Sequence, residues 1–249
     1  MEGQVWRFSM DGRRELVAAT PNKVSGLGFL RDGTPVVASQ LDRKLNKIID
    51  GVLVPYADLS SFGTSPLNDL LVDPEDRVYV GEYGYDAYSG AAPGPAGLFL
   101  VEPAGAVRQV AADISFANGI VLLDGGKKLV IAETAGNCLT SFDRSENGDL
   151  SGRRVHFALP GYTPDGICMD AEGGIWVSSC QTGDFLRLDR TGEITDTIKI
   201  EGGIAFACTL GGEDGHTLFC NVYEGSFEDL FAGKTNGCVG VVQVPVAAA

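Results

Sequence analysis

Tyr162-Thr163-Pro164-Asp165-Gly166-Ile167-Cys168-Met169-Asp170, continued by Gly174-Ile175-Trp176-Val177, sets a polar turn before an apolar run. An Asp and a Gly-rich turn then lead into a second apolar run. Two short apolar runs joined by Asp and Gly, which tolerate the backbone angles of a tight turn, read as a β-hairpin. Both runs are almost continuously apolar, the pattern of strands covered on both faces. The frame recurs along the chain while the residue at the position of Asp165 changes. The frame therefore reads as scaffold and the changing position as chemistry.

Five copies align on that position. Ser25-Gly26-Leu27-Gly28-Phe29 precedes Asp32-Gly33 and Val36-Val37-Ala38. Asn68-Asp69-Leu70-Leu71-Val72-Asp73 precedes Asp76 and Val78-Tyr79-Val80. Asn118-Gly119-Ile120-Val121-Leu122 precedes Asp124-Gly125-Gly126 and Leu129-Val130-Ile131. The fourth copy is the stretch above, and the fifth is aligned as Cys208-Thr209-Leu210-Gly211-Gly212 before Asp214-Gly215 and Leu218-Phe219-Cys220. The anchors Ser25, Asn68, Asn118, Asp165 and Cys208 are 43, 50, 47 and 43 residues apart.

Between the frames lie hairpins that read as more polar and alternating, such as residues 98–101 with 107–110 and 185–188 with 194–197. Alternation marks half-exposed strands. Two buried strands followed by two half-exposed ones, at a period near 45, describe a four-stranded propeller blade. The count is uneven, with five inner hairpins against six outer ones. Gln4-Val5-Trp6-Arg7-Phe8 with residues 14–18 has no inner hairpin before it, and residues 237–244 supply the last outer strand. The expected fold is an all-β, six-bladed β-propeller whose first blade lacks its inner hairpin. No linker divides the chain, so residues 1–249 read as a single domain. The segments 83–97, which carries three tyrosines, and 225–234 are too long for hairpin turns and are candidates for function.

Composition narrows the function classes. The chain has 249 residues, 44% hydrophobic content, 34 Gly and 11 Pro, and a formal net charge of −14. So acidic a chain lacks the basic footprint of a nucleic-acid or anionic-membrane partner. No run approaches the ~20 apolar residues of a membrane-spanning helix. The N-terminus has neither the basic nor the apolar segment of a secretory signal, so the expected location is cytoplasmic. Six cysteines form no C-x-x-C pair and read as free, largely buried thiols of a reducing compartment. His156 and His216 lack metal-like spacing to them. Neither a P-loop nor a G-x-S-x-G elbow is present, and two histidines in outer segments do not suit a Ser/His/Asp triad.

In a propeller the anchors open the innermost strands, where side chains converge on the channel. Asn68, Asn118 and Asp165 offer hard oxygen donors, suited to Ca²⁺ or Mg²⁺ and not to a soft metal. The bland reading of each is a turn former. Leu67-Asn68-Asp69, Ala117-Asn118-Gly119 and Pro164-Asp165-Gly166 each lead into an Asp-containing hairpin. Together with Ala207-Cys208-Thr209-Leu210-Gly211-Gly212, they resemble the senescence marker protein, gluconolactonase and luciferin-regenerating enzyme family over nearly the whole chain.

The resemblance implies a six-bladed propeller with one divalent metal in its channel, Ca²⁺ foremost, with Zn²⁺, Mn²⁺ or Mg²⁺ as alternatives. It implies hydrolysis of lactones, and relatives hydrolyse organophosphates. By position it makes Asn118 and Asp165 metal ligands, Asn68 a ligand or substrate contact, and Asp165 also the general base. Tyr83, which opens the long loop, is the other candidate substrate contact.

Two features depart from the family pattern. Glu2-Gly3-Gln4-Val5-Trp6 is similar to the family's opening segment, whose Glu is the other carboxylate on the metal. A second register, favoured by the strand and turn pattern, makes Gln4 to Ala18 the first outer hairpin, with Met10-Asp11-Gly12 as its turn, and leaves that Glu absent. Pro66 stands where some members place an Arg that grips a sugar acid, which argues against a sugar lactone. The leading expectation is a metal-dependent hydrolase of a small lactone or ester, neutral or apolar-tailed. The rival is a non-catalytic propeller that binds a small ligand or a protein, its metal site incomplete. A third reading starts the chain at an internal Met, one repeat after the native start, with the incomplete blade open to oligomer formation.

Overall fold

The computed structural model describes residues 3–249. Glu2, the alternative metal ligand, lies outside the described residues. The chain forms two compact units, residues 1–117 and 118–249.

In the first unit, β1 (Gln4–Phe8) and β2 (Arg14–Ala19) form a two-stranded antiparallel sheet. The hairpin read from the sequence is present, pairing from Gln4↔Ala19 to Phe8↔Arg14 with a register shift between Val5 and Trp6. Two antiparallel meanders follow. One is β3 (Val24–Phe29), β4 (Pro35–Ser39), β5 (Lys44–Ile49) and β6 (Val52–Asp58), and the next is β7 (Leu67–Val72), β8 (Val78–Glu82), β9 (Ala96–Val101) and β10 (Val107–Ile114).

The second unit carries β11 (Ala117–Leu123), β12 (Lys128–Glu133), β13 (Cys138–Arg144) and β14 (Leu150–Ala158) as one four-stranded sheet. A second sheet is β15 (Pro164–Met169), β16 (Ile175–Ser179), β17 (Asp184–Leu188) and β18 (Ile194–Lys199). The last sheet has three strands, β19 (Gly203–Gly211), β20 (Thr217–Glu224) and β21 (Gly237–Gln243), with the short helix α1 (Phe227–Phe231) between the last two. Among the described residues the last outer element is thus a single strand. After it the chain crosses back over the turns of two hairpins, with Ala171 N–H bonded to Ala247 O and Ala248 N–H to Gly215 O, both at 2.9 Å.

The five inner hairpins fall where the repeat placed them. Asp side chains hold the turns of the first, second, fourth and fifth. In the fourth, Asp170 Oδ1 accepts from Glu172 N–H at 2.9 Å and Gly174 N–H at 2.8 Å, while Oδ2 accepts from Arg187 Nε at 2.8 Å. The third strands correct the sequence reading: β9 and β17 are buried along their whole length. The fourth strands, such as β14 and β18, are largely exposed.

Within each unit the first strands of neighbouring sheets run side by side, β3 with β7 and β15 with β19. The space between sheets is filled from both faces. Val36, Leu45, Leu70, Val80 and Phe99 pack in the first unit, and Val121, Val130, Ile167, Val177 and Leu188 in the second. Burial of such side chains, roughly 1.5–3 kcal/mol each, drives the meanders together.

Candidate active site

Ser25, Asn68 and Asp165 each sit on a β-bulge. In β7 the register steps from Leu67↔Glu82 to Leu70↔Val80, so Asn68 and Asp69 together face Gly81. In β15 it steps from Pro164↔Ser179 to Ile167↔Val177, so Asp165 and Gly166 face Ser178. β3 is bulged at Ser25 and Gly26. A bulge adds one residue, bends the strand and re-aims a side chain, which is why these positions vary independently of the frame.

The fifth anchor needs correction. In β19, Ala205 pairs Val222, Ala207 pairs Asn221 and Cys208 pairs Cys220. Phe206 therefore holds the position of Asp165, and Cys208 that of Ile167. Strand β19 runs nine residues where β15 runs six, so counting back from the turn lands too late. Cys208 is buried, 3.9 Å from Cys168 across to the neighbouring sheet.

In the second unit Asn118 and Asp165 lie on adjacent strands drawn unusually close. A Cβ on Gly119 would stand 2.8 Å from Asp165 O and 2.9 Å from Gly166 C, so only glycine admits this approach. Asn118 is buried and donates its Nδ2 to Thr134 Oγ1 at 3.0 Å; Thr134 in turn donates to Pro164 O at 2.7 Å. That relay fixes the amide and leaves its oxygen as the donor atom for a cation. Asp165 is half-buried. Its negative charge reaches Cys180, whose thiol is pushed up to about 11, first by burial and then by Asp165, against a hydrogen bond with Thr163. At neutral pH that thiol stays protonated.

The first unit repeats the wiring. Asn68 is buried and donates Nδ2 to Ala117 O at 2.8 Å, while Ser25 Oγ donates to Asn68 O at 2.8 Å. Beside it Asp69 is pushed up to about 6 by burial, opposed by the Leu70 N–H that it accepts. Tyr83 is 8% exposed. Its hydroxyl accepts from Gln40 Nε2 at 3.1 Å, and its ring stacks on Phe116 with centroids 4.4 Å apart. Tyr88 closes the group, donating to Gln40 Oε1 at 2.7 Å beneath the Lys23 ammonium, 3.5 Å from its ring centroid. The long loop is thus packed on its own aromatic side chains.

The donor chemistry of Asn118 and Asp165, one amide oxygen and one carboxylate, fits a hard divalent cation. Among the described residues no three His, Cys, Asp or Glu side chains come together as a metal set. A cavity of 400 Å³, lined in part by Asp124, Lys128, His156 and Arg190, lies at the opposite ends of β11 and β15 from this pair and takes no part in it. Sequence reasoning missed Thr134, Cys180 and Phe206. Phe206, an apolar residue whose place on the bulge shows only in the strand register, carried no turn signature.

A family model described as SMP-30/Gluconolactonase/LRE-like region matches residues 1–222. The chain is 26% identical to regucalcin of Danio rerio over 171 residues, 67% of this chain and 57% of that protein. It is 28% identical to regucalcin of Homo sapiens over 152 residues, 59% of this chain and 51% of that one. These matches span little more than half the length of the curated relatives. In structure it is similar to a calcium-binding protein, regucalcin, from Agrobacterium tumefaciens str. C58, with a TM-score of 0.83 at 23% identity, covering 100% of this chain and 85% of that one. For a luciferin-regenerating enzyme the TM-score is 0.82 at 20% identity, over 100% and 87%. For a gluconolactonase from Xanthomonas campestris it is 0.76 at 20% identity, over 87% and 75%. At such identities the structural likeness establishes the fold alone, an all-β propeller.

Proposed function

The chain belongs to the SMP-30/gluconolactonase/LRE-like family, and from that premise we propose that it is a metal-dependent hydrolase of a small lactone or ester. The observation that carries the reading is the close backbone approach at Gly119 of the strands that bear Asn118 and Asp165, with the Asn118 amide oriented by Thr134. Asn118 Oδ1 and the Asp165 carboxylate would hold the cation, Ca²⁺ in the first instance. When bound, such a cation polarises the lactone carbonyl and lowers the pKa of an adjacent water.

Asp165 then acts as general base, taking the proton of the attacking water, a role generally worth about 10²–10⁴-fold. Thr134 keeps Asn118 from rotating its nitrogen toward the cation. Cys180, protonated at neutral pH, does not compete as a nucleophile. The ligand role of Asn68 and the substrate role of Tyr83 rest on the repeat phase and the resemblance, and Asn68→Ala and Tyr83→Phe test each separately. We read the two-stranded sheet of β1 and β2 as the outer half of a blade in a six-bladed scheme.

The test removes metal with a chelator, restores Ca²⁺, Mn²⁺, Zn²⁺ or Mg²⁺ one at a time, and assays a panel of lactones. Hydrolysis that disappears with chelation and in Asp165→Ala supports the reading; hydrolysis indifferent to both refutes it. The thin metal set favours one other reading, a propeller that binds a small ligand without turning it over. Absence of Ca²⁺ binding at millimolar concentration, by a folded protein, would favour that alternative.

A further inference from the structure

The surroundings of Asp165 point to what the substrate carries, given the hydrolase reading above. Phe206 fills, on β19, the bulge position that holds Asp165 on β15. The two bulges are tied together: the Ser178 hydroxyl lies 2.8 Å from Gly166 O and 2.9 Å from Phe206 O, bridging the strands. Gly166 makes the approach tighter still, since a Cβ there would stand 2.7 Å from Ala207 Cα.

Helix α1 brings a second ring to the same place. Phe227 meets Phe206 edge-on, with centroids 6.5 Å apart and planes at 85°. Leu230 joins them, and Ile204, Tyr223 and Cys180 form the buried layer behind. The helix is set by its cap, Ser226 Oγ accepting from Asp229 N–H at 3.2 Å, and by the Lys234–Asp229 ion pair at 2.6 Å.

Cys180 connects this layer to the strand of the carboxylate, because its thiol belongs to the apolar cluster and lies 3.4 Å from Thr163 Oγ1, two residues before Asp165. Phe206, Phe227 and Leu230 are only half-buried, so they leave apolar surface open on the strand that Ser178 and the Gly166–Ala207 approach tie to the bulge of Asp165. An apolar face beside a carboxylate offers nothing to the hydroxyls of a sugar ring and favours a hydrocarbon substituent.

We propose that Phe206, Phe227 and Leu230 form a wall for an alkyl or aryl substituent of the substrate beside Asp165. The preferred substrate is then a substituted, hydrophobic lactone and not a polyhydroxylated one.

Two measurements on the full chain with Ca²⁺ test this. The first compares kcat/KM for unsubstituted δ-valerolactone, a butyl-substituted δ-lactone and glucono-δ-lactone. The second follows binding of δ-valerolactam and its butyl derivative by calorimetry, since a lactam reports recognition without turnover. The butyl group should improve both readouts roughly ten- to hundred-fold. Phe227→Ser and Leu230→Ser should each cut the ratio of butyl-bearing to unsubstituted ligand by about tenfold, a change that a general loss of folded protein would not produce. Equal treatment of the two lactams, or a ratio untouched by both variants, overturns the proposal. If no lactone is hydrolysed but the butyl lactam still binds preferentially through Phe227, the hydrolase reading falls and the wall stands.

Discussion

Asn118 and Asn68 spend their amide nitrogens on neighbouring groups, Thr134 Oγ1 in one unit and the Ala117 carbonyl in the other. This makes each a structural tie and, by the same act, a pre-oriented oxygen donor. Removing the orienting partner should therefore weaken cation binding without removing a ligand. Thr134→Val is expected to lower Ca²⁺ affinity about tenfold, as outer-shell substitutions generally do, measured by calorimetry. A second residue sets a pH dependence. Burial, and then the positive charges of Lys128 and Arg154, depress the His156 imidazole below its ordinary value. The unfolded chain binds that proton more readily, so stability is present above about pH 6.5 and is lost as the pH falls through the folded-state value. His156→Gln should flatten the denaturation midpoint between pH 7.5 and pH 5 relative to the parent protein. At this scale Asn118 and Asp165 were legible because Asn-Gly and Asp-Gly recur in phase. Phe206 was not, because an apolar residue on a bulge carries no turn signature.

The inner hairpins were legible as elements, since two apolar runs around Asp and Gly leave few alternatives. The third strands were misread for a physical reason. Arg187 makes β17 look alternating, yet it is buried against Asp170, its Nε 2.8 Å from Oδ2, with side-chain exposures of 8% and 0%. Polarity in a strand reports exposure only when the charge has no buried partner. Arg187→Met should cost about 3–5 kcal/mol in urea unfolding, because it strands the Asp170 carboxylate. The contact between β11 and β15 is the other element-scale device. Gly119→Ala should destabilise by about 1–3 kcal/mol, because the added carbon must push the Asp165–Gly166 backbone away. Gly237→Ala, where a Cβ would meet only Val222 O at 3.9 Å, should stay within about 0.5 kcal/mol of the parent.

For the molecule as a whole, repeat counting anticipated the all-β propeller, and the acidic composition bears on how it meets a cation. A net charge of −14 raises the local concentration of any divalent ion and is screened by salt. No helix among the described residues is long and apolar enough to cross a membrane. What the composition did not reveal is how much apolar surface the first unit leaves open, with Phe8 51%, Leu16 46% and Phe29 60% exposed. The central claim is that Asn118 and Asp165 hold a divalent cation for hydrolysis. Its most direct test is calorimetric titration of Ca²⁺ into chelator-treated protein, run beside Asp165→Ala. With one carboxylate in the set, the account predicts one saturable site with a Kd on the order of 10⁻⁴–10⁻³ M, weakened by added NaCl and abolished in the variant. A folded parent protein that takes up no Ca²⁺, or a variant that binds it as well as the parent, would contradict it.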